Sequence, residues 1–116
     1  MKRGDVILVR FPHPSGMRGK KRPAVVVQSD AYLGTIRTLV VAEITKNTKM
    51  ANDPACLIVD VSTADGKASG LLNNSVVSGL FLATIDADTV AQVIGTLTES
   101  MMQRFNDCLK AALHLS

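Results

Sequence analysis

Eleven positions, 12–22, hold an imidazole, a hydroxyl and four basic side chains: His13, Ser15, Arg18, Lys20, Lys21 and Arg22. A second hydroxyl–cation pair, Thr45 followed by Lys46, stands where a later apolar run stops. These residue types suit phosphodiester chemistry. An arginine fork grips two phosphate oxygens at once, a Thr or Ser hydroxyl donates to a third, and a histidine near its unperturbed pKa passes protons either way. On RNA such a set suffices without a metal or cofactor. The 2′-hydroxyl beside the scissile phosphate is itself the nucleophile, so the protein has only to orient it, move two protons and stabilise the crowded phosphorane. The candidates are His13, Ser15 and Arg22 from the first segment, and Thr45 with Lys46 from the second. Arg18, Lys20, Lys21 and Lys46 flank them as phosphate contacts, the alternative being a solvated charge cluster.

Other chemistries lack their residues. There is no P-loop, no G-x-S-x-G elbow, no dinucleotide fingerprint and no H-E-x-x-H. The carboxylates are scattered without an obvious pair, which leaves little for a glycosidase or an acidic metal cage. His114, near the end of a terminal helix, is expected to serve the helix dipole. Cys56 and Cys108 have no further cysteine or histidine at ligand spacing, so they are expected to be reduced, partly buried thiols.

The elements that must position these groups are mostly strands. Residues 5–11 alternate and are rich in Val, Ile and Phe, then stop at Pro12-His13-Pro14-Ser15-Gly16, a loop sequence. Pro23 opens a β-branched strand over 24–28, and 35–45 is a third, longer strand ending at Thr45. Residues 46–54 are polar and read as an exposed loop, 56–61 as a fourth strand, and Asp65-Gly66 as a turn. Residues 75–85 form a fifth strand in which Gly79 suggests a bulge or tight bend. Asp86-Ala87-Asp88 suits a short helical turn, and 90–97 a further strand interrupted by Gly95. Thr98 reads as the N-cap of a terminal helix whose apolar stripe is Met102, Phe105, Leu109, Ala112 and Leu113. The sum is a mainly β, α+β domain, a small, strongly bent sheet or barrel closed by the C-terminal helix.

At 116 residues, 47% apolar and 20% charged, the chain is expected to be one globular domain spanning 1–116. No apolar run reaches membrane-spanning length, and the N-terminal apolar run, 6–9, is too short for a secretory signal, so the expectation is a cytoplasmic protein. The formal charge of +3 conceals a division. Residues 1–50 carry ten Lys or Arg against three acids, a net of +7, whereas the remaining 66 carry three against seven, a net of −4. A cationic N-terminal half attracts nucleic-acid phosphates, although lysines kept for solubility would give the same count.

Three segments carry a more specific resemblance. Lys2-Arg3-Gly4-Asp5-Val6, then Gly19-Lys20-Lys21-Arg22-Pro23-Ala24-Val25-Val26-Val27-Gln28, then Val40-Val41-Ala42-Glu43-Ile44-Thr45, resemble in order and spacing the MazF/PemK (Kid-like) toxins of type II toxin–antitoxin systems. The stretch 72–85 and the Gly95-Thr96-Leu97 step into the helix are similar as well, so nearly the whole chain takes part. The resemblance implies an SH3-like or CcdB-like barrel of five to seven strands, acting as a homodimer. It also implies metal-independent cleavage of single-stranded, usually messenger, RNA, and a cognate antitoxin that holds the toxin inactive. The family's key arginine, in an R-P turn, maps onto Arg22, and its key hydroxyl, at the end of the third strand, onto Thr45.

Two departures stand out. Several relatives carry an acid in the loop before the R-P turn, whereas 12–21 here holds no Asp or Glu; His13 is the substitute candidate for proton transfer. Some relatives use an Arg and an Asp in the last barrel strand, where this chain has Ser78-Gly79-Leu80. These gaps keep two alternatives open: a CcdB-like toxin that binds a protein target such as DNA gyrase, and a catalytically silent RNA-binding barrel. With one Tyr, three Phe and no Trp, base recognition is expected to lean on arginine planes and hydrogen bonds.

Overall fold

A computed structural model describes residues 1–10 and 20–116. Six strands and two helices follow in chain order: β1 (Asp5–Arg10), β2 (Lys21–Val26), β3 (Thr38–Thr45), β4 (Cys56–Val59), α1 (Ala64–Ala68), β5 (Ser75–Asp86), β6 (Val90–Thr96) and α2 (Glu99–Leu113). A 3-10 turn, Ala87–Thr89, joins β5 to β6, capped by the Asp86 carboxylate accepting from the Asp88 N–H at 2.8 Å. The strands pair antiparallel in the order β4-β5-β3-β2-β1-β6.

Among the described residues the ladder does not close. The expected barrel is instead an open, bent six-stranded sheet whose edges are β4 and β6. β4 runs out after four residues as the chain turns into α1. Beyond α1, the backbone of Ser69 and Gly70 lies directly against β6: a Cβ on Gly95 would sit 2.3 Å from the Ser69 carbonyl carbon, and one on Gly70 2.0 Å from the Ile94 oxygen. That close backbone approach, open only to glycine, replaces pairing between β4 and β6.

Bending lets the central strands bury both faces. Val6 and Val25 belong to one apolar cluster with Ala42, Ile44, Val77, Met102 and Phe105, under α2. Their neighbours Ile7, Val9, Ala24 and Val26 belong to a second cluster with Leu39 and Val41, covered by Ile85, Ala87 and Val90. Successive strand side chains point to opposite faces, so burial on both sides demands the unbroken apolar runs that β1 (Val6-Ile7-Leu8-Val9) and β2 (Ala24-Val25-Val26) show.

Some element boundaries differ from the sequence reading. β2 begins at Lys21, so Arg22 and Pro23 lie within a strand and not in a turn. Pro23 has no N–H to offer a ladder, and the β2–β3 pairing stops one residue away, at Ala24↔Glu43. β3 starts at Thr38, because the chain before it turns on Tyr32, whose carbonyl accepts from the Thr35 N–H (3.3 Å) and hydroxyl (2.8 Å). α1 stands where a plain turn was expected: the Thr63 hydroxyl caps it by accepting from the Gly66 N–H at 2.9 Å. A Cβ on Gly66 would come within 1.8 Å of the Asp60 oxygen, so this helix requires the glycine that suggested a turn.

The expected bend at Gly79 is present. Between Ala42 and Ile44 of β3 the partner on β5 jumps from Leu82 to Val77, so residues 78–81 bulge out of the ladder. The Gly79 N–H donates to the Ala55 carbonyl at 2.8 Å, and its missing side chain admits Ala112 of α2. α2 packs against β5 and β4. Its buried face is Met101, Met102, Phe105 and Cys108, with Leu109 partly covered, while Leu113, placed on the stripe by spacing, is 52% exposed. The stripe ends at Ala112. Thr98 is the N-cap as expected, its hydroxyl accepting from the Met101 N–H at 3.3 Å. Thr98→Ala is expected to destabilise the fold by about 1 kcal/mol, seen as a lower urea midpoint with an unchanged m-value.

Candidate active site

Beyond Ala24↔Glu43 the β2–β3 ladder ends, and the same register carried two steps further sets Arg22 across from Thr45. Both are exposed. They line two concavities that meet along Arg22, Pro23, Ile44 and Thr45. One, of about 360 Å³, runs from this seam to β4 and the β5 bulge. The other, of about 720 Å³, runs to the connection after α1 and to β6.

The larger concavity is cationic. Lys20, Lys21, Arg22 and Lys46 line it together, and no acid is among its described lining residues. The sequence-derived phosphate contacts Lys20, Lys21 and Lys46 are thus brought to one place beside Arg22. The positive charge is not consumed by ion pairing: among the described residues the ion pairs are those of Arg37 with Asp86 and Asp88. Arg3 is occupied structurally, donating to the Val27 carbonyl at 2.8 Å and to Asn106 Oδ1 at 2.7 Å. Arg22 is neither a loop residue nor paired with a carboxylate among the described residues. A low-dielectric wall on one side and four cations on the other concentrate the attraction for a polyanion.

Thr45 is prepared to donate. Its Oγ1 accepts from the Asn47 N–H at 3.1 Å, which orients the oxygen and leaves the hydroxyl hydrogen for another acceptor. The smaller concavity adds residues that the sequence reading passed over: Glu43, Asn47, Met50, Ser78 and Phe81. Ser78 is buried and Phe81 half exposed, both placed by the bulge at Gly79. Phe81 supplies an aromatic face at the site, so stacking is available beside arginine planes. Glu43 was legible in principle, since it precedes Thr45 by two and so shares its strand face.

His13, Ser15 and Arg18 lie outside the described residues. His114 is the C-cap of α2, in the left-handed conformation (φ 55°) with its N–H donating to the Lys110 carbonyl, and it lines neither concavity. Cys56 and Cys108 are free and buried. Burial, and next the neighbouring Cys56, push the Cys108 thiol up from its ordinary value, which keeps it protonated and unreactive. Among the described residues no three His, Cys, Asp or Glu side chains gather as a metal cluster, and no helix is long and apolar enough to cross a membrane.

Fold and site together define a small antiparallel-sheet protein with an exposed arginine–hydroxyl seam flanked by lysines. The chain belongs to the family described as the PemK-like, MazF-like toxins of type II toxin–antitoxin systems, whose model matches residues 2–113. It is similar to endoribonuclease MazF2 of Mycobacterium bovis, 28% identical over 115 residues that cover 97% of this chain and 96% of the relative. It is likewise similar to endoribonuclease EndoA of Bacillus subtilis, 29% identical over 116 residues, 99% of this chain and 96% of the relative. Among solved structures, an endoribonuclease from a Mycobacterial species in complex with its cognate antitoxin superposes with a TM-score of 0.80 at 19% identity, covering 100% of this chain and 97% of that one.

Proposed function

We propose that this toxin is a metal-independent endoribonuclease that cleaves single-stranded, messenger-type RNA by attack of the 2′-hydroxyl on the adjacent phosphate. One observation carries the reading: Arg22 and Thr45, from neighbouring strands, meet at a seam flanked by Lys20, Lys21 and Lys46. Arg22 grips two non-bridging oxygens of the scissile phosphate, and the Thr45 hydroxyl donates to one of them as charge builds in the phosphorane. The lysines hold the flanking phosphates. The relatives' names, endoribonucleases in both cases, support the same reaction. The protein works in the cytoplasm, where messenger RNA is met. It acts as a homodimer, because one shallow face is too short to hold several nucleotides, and it is held inactive by a cognate antitoxin, a partner with which the structural relative above forms a complex.

The test is incubation of the purified protein with mixed-sequence RNA in EDTA. Cleavage is expected to persist and to leave 2′,3′-cyclic phosphate ends. Thr45→Ala is expected to slow it by about 10²-fold, the scale of one lost transition-state donor, and Thr45→Ser to retain most of the rate. Absence of cleavage with toxicity retained would move the assignment to a protein-binding toxin.

A further inference from the structure

We infer that Glu43 is the general base of this site, the group that takes the proton from the attacking 2′-hydroxyl. The inference rests on the ribonuclease reading above. Position is the first argument. Glu43 is the last residue of β3 paired with β2, opposite Ala24, and by strand alternation it projects to the same face as Thr45. It lines the smaller concavity with Arg22 and Thr45.

Elimination is the second argument. Among the described residues lining either concavity, Glu43 is the single carboxylate and no histidine is present; the remaining titratable groups are Arg22, Lys20, Lys21, Lys46 and the buried thiol Cys56. The loop that precedes Arg22 contains no acid, and its His13, the other candidate for proton transfer, lies outside the described residues. Placing a glutamate at this position also carries a cost. A half-buried glutamate between Ala42 and Ile44 on an interior strand is disfavoured by strand propensity. No hydrogen bond or ion pair to a described residue offsets that cost, and a negative charge beside a phosphate site opposes substrate binding.

The step balances. Glu43 accepts the 2′-hydroxyl proton as the 2′-oxygen bonds to phosphorus, the P–O5′ bond breaks to give the 2′,3′-cyclic phosphate, and solvent water protonates the departing 5′-oxygen. The carboxyl then returns its proton to solvent.

Glu43→Gln keeps the shape and removes the basic oxygen. In single-turnover cleavage it is expected to be slower than the unaltered toxin by at least about 10²-fold. Affinity for the uncleavable all-2′-deoxy oligonucleotide of the same sequence is expected to be unchanged or tighter. Glu43→Ala vacates part of the cavity, and added formate or acetate is expected to restore cleavage in a concentration-dependent way, which a merely structural glutamate would not permit. Wild-type speed in Glu43→Gln, at the old or at a new cleavage sequence, would overturn the inference; so would a slow variant that has also lost affinity for the deoxy oligonucleotide. If the unaltered toxin fails to cleave RNA, it is the ribonuclease reading that falls.

Discussion

Arg22→Ala is expected to reduce RNA cleavage by roughly 10³-fold, the largest loss any single position in the site should produce. A single transition-state donor is worth on the order of 10²–10³ in rate, and the guanidinium presents two to the phosphorane from one planar fork. The loss should fall on the rate constant more than on binding, because Lys20, Lys21 and Lys46 remain in the larger concavity to hold the strand. Arg22→Lys keeps the charge but replaces the fork by a point donor, so it should recover affinity and little of the rate. Single-turnover rates beside equilibrium binding of a deoxy oligonucleotide separate these outcomes. If Arg22→Ala weakens binding in proportion to cleavage, Arg22 is one phosphate contact among several and the transition-state role is lost.

Phe105→Ala is expected to have the largest effect on stability. Phe105 is fully buried and belongs to the cluster that joins α2 to the sheet, with Val25, Ile44, Val77 and Met102 around it. Removing a buried phenyl ring costs about 3–5 kcal/mol, a large part of the roughly 5–15 kcal/mol that a domain of this size possesses. Thermal unfolding should shift down by more than about 10 °C, with a partly or wholly unfolded protein at 37 °C. Phe105→Leu, which leaves much of the volume filled, should lose less. An alanine variant as stable as the parent would mean that α2 is not seated on the sheet as described.

Where sequence and structure part company, the cause is non-local contact. Thr98 could be read as a cap and Gly79 as a bend because local chemistry decides both. Residues 65–66 read as a turn because Asp-Gly is the commonest turn signal; the helix there forms because Thr63 caps it and the Asp60 carbonyl leaves room only for hydrogen at position 66. Pro23 read as the residue that opens the second strand. It sits inside β2 because its partner there is Leu8 of β1, while the ladder to β3 has already ended. The buried stripe of α2 includes Met101 and Cys108 in place of Leu113 because the helix's seat on β4 and β5, and not its own periodicity, selects the face. In the site, Arg22 and Thr45 were visible from chemistry and family resemblance. Ser78 and Phe81 were not, since a strand residue joins a cavity only when the neighbouring strand diverges or bulges; alternation alone could place Glu43 on the Thr45 face, but not in a cavity.

The two concavities share one wall, Arg22, Pro23, Ile44 and Thr45, and this has a consequence for inhibition. A small molecule seated in either hollow shields the same guanidinium and hydroxyl, so two inhibitors found on opposite sides should block the enzyme equally well while leaving different surfaces unoccupied. A tether over the seam would join an anionic fragment on the lysine side to an aromatic-binding fragment beside Phe81, turning two weak occupants into one with a high effective local concentration.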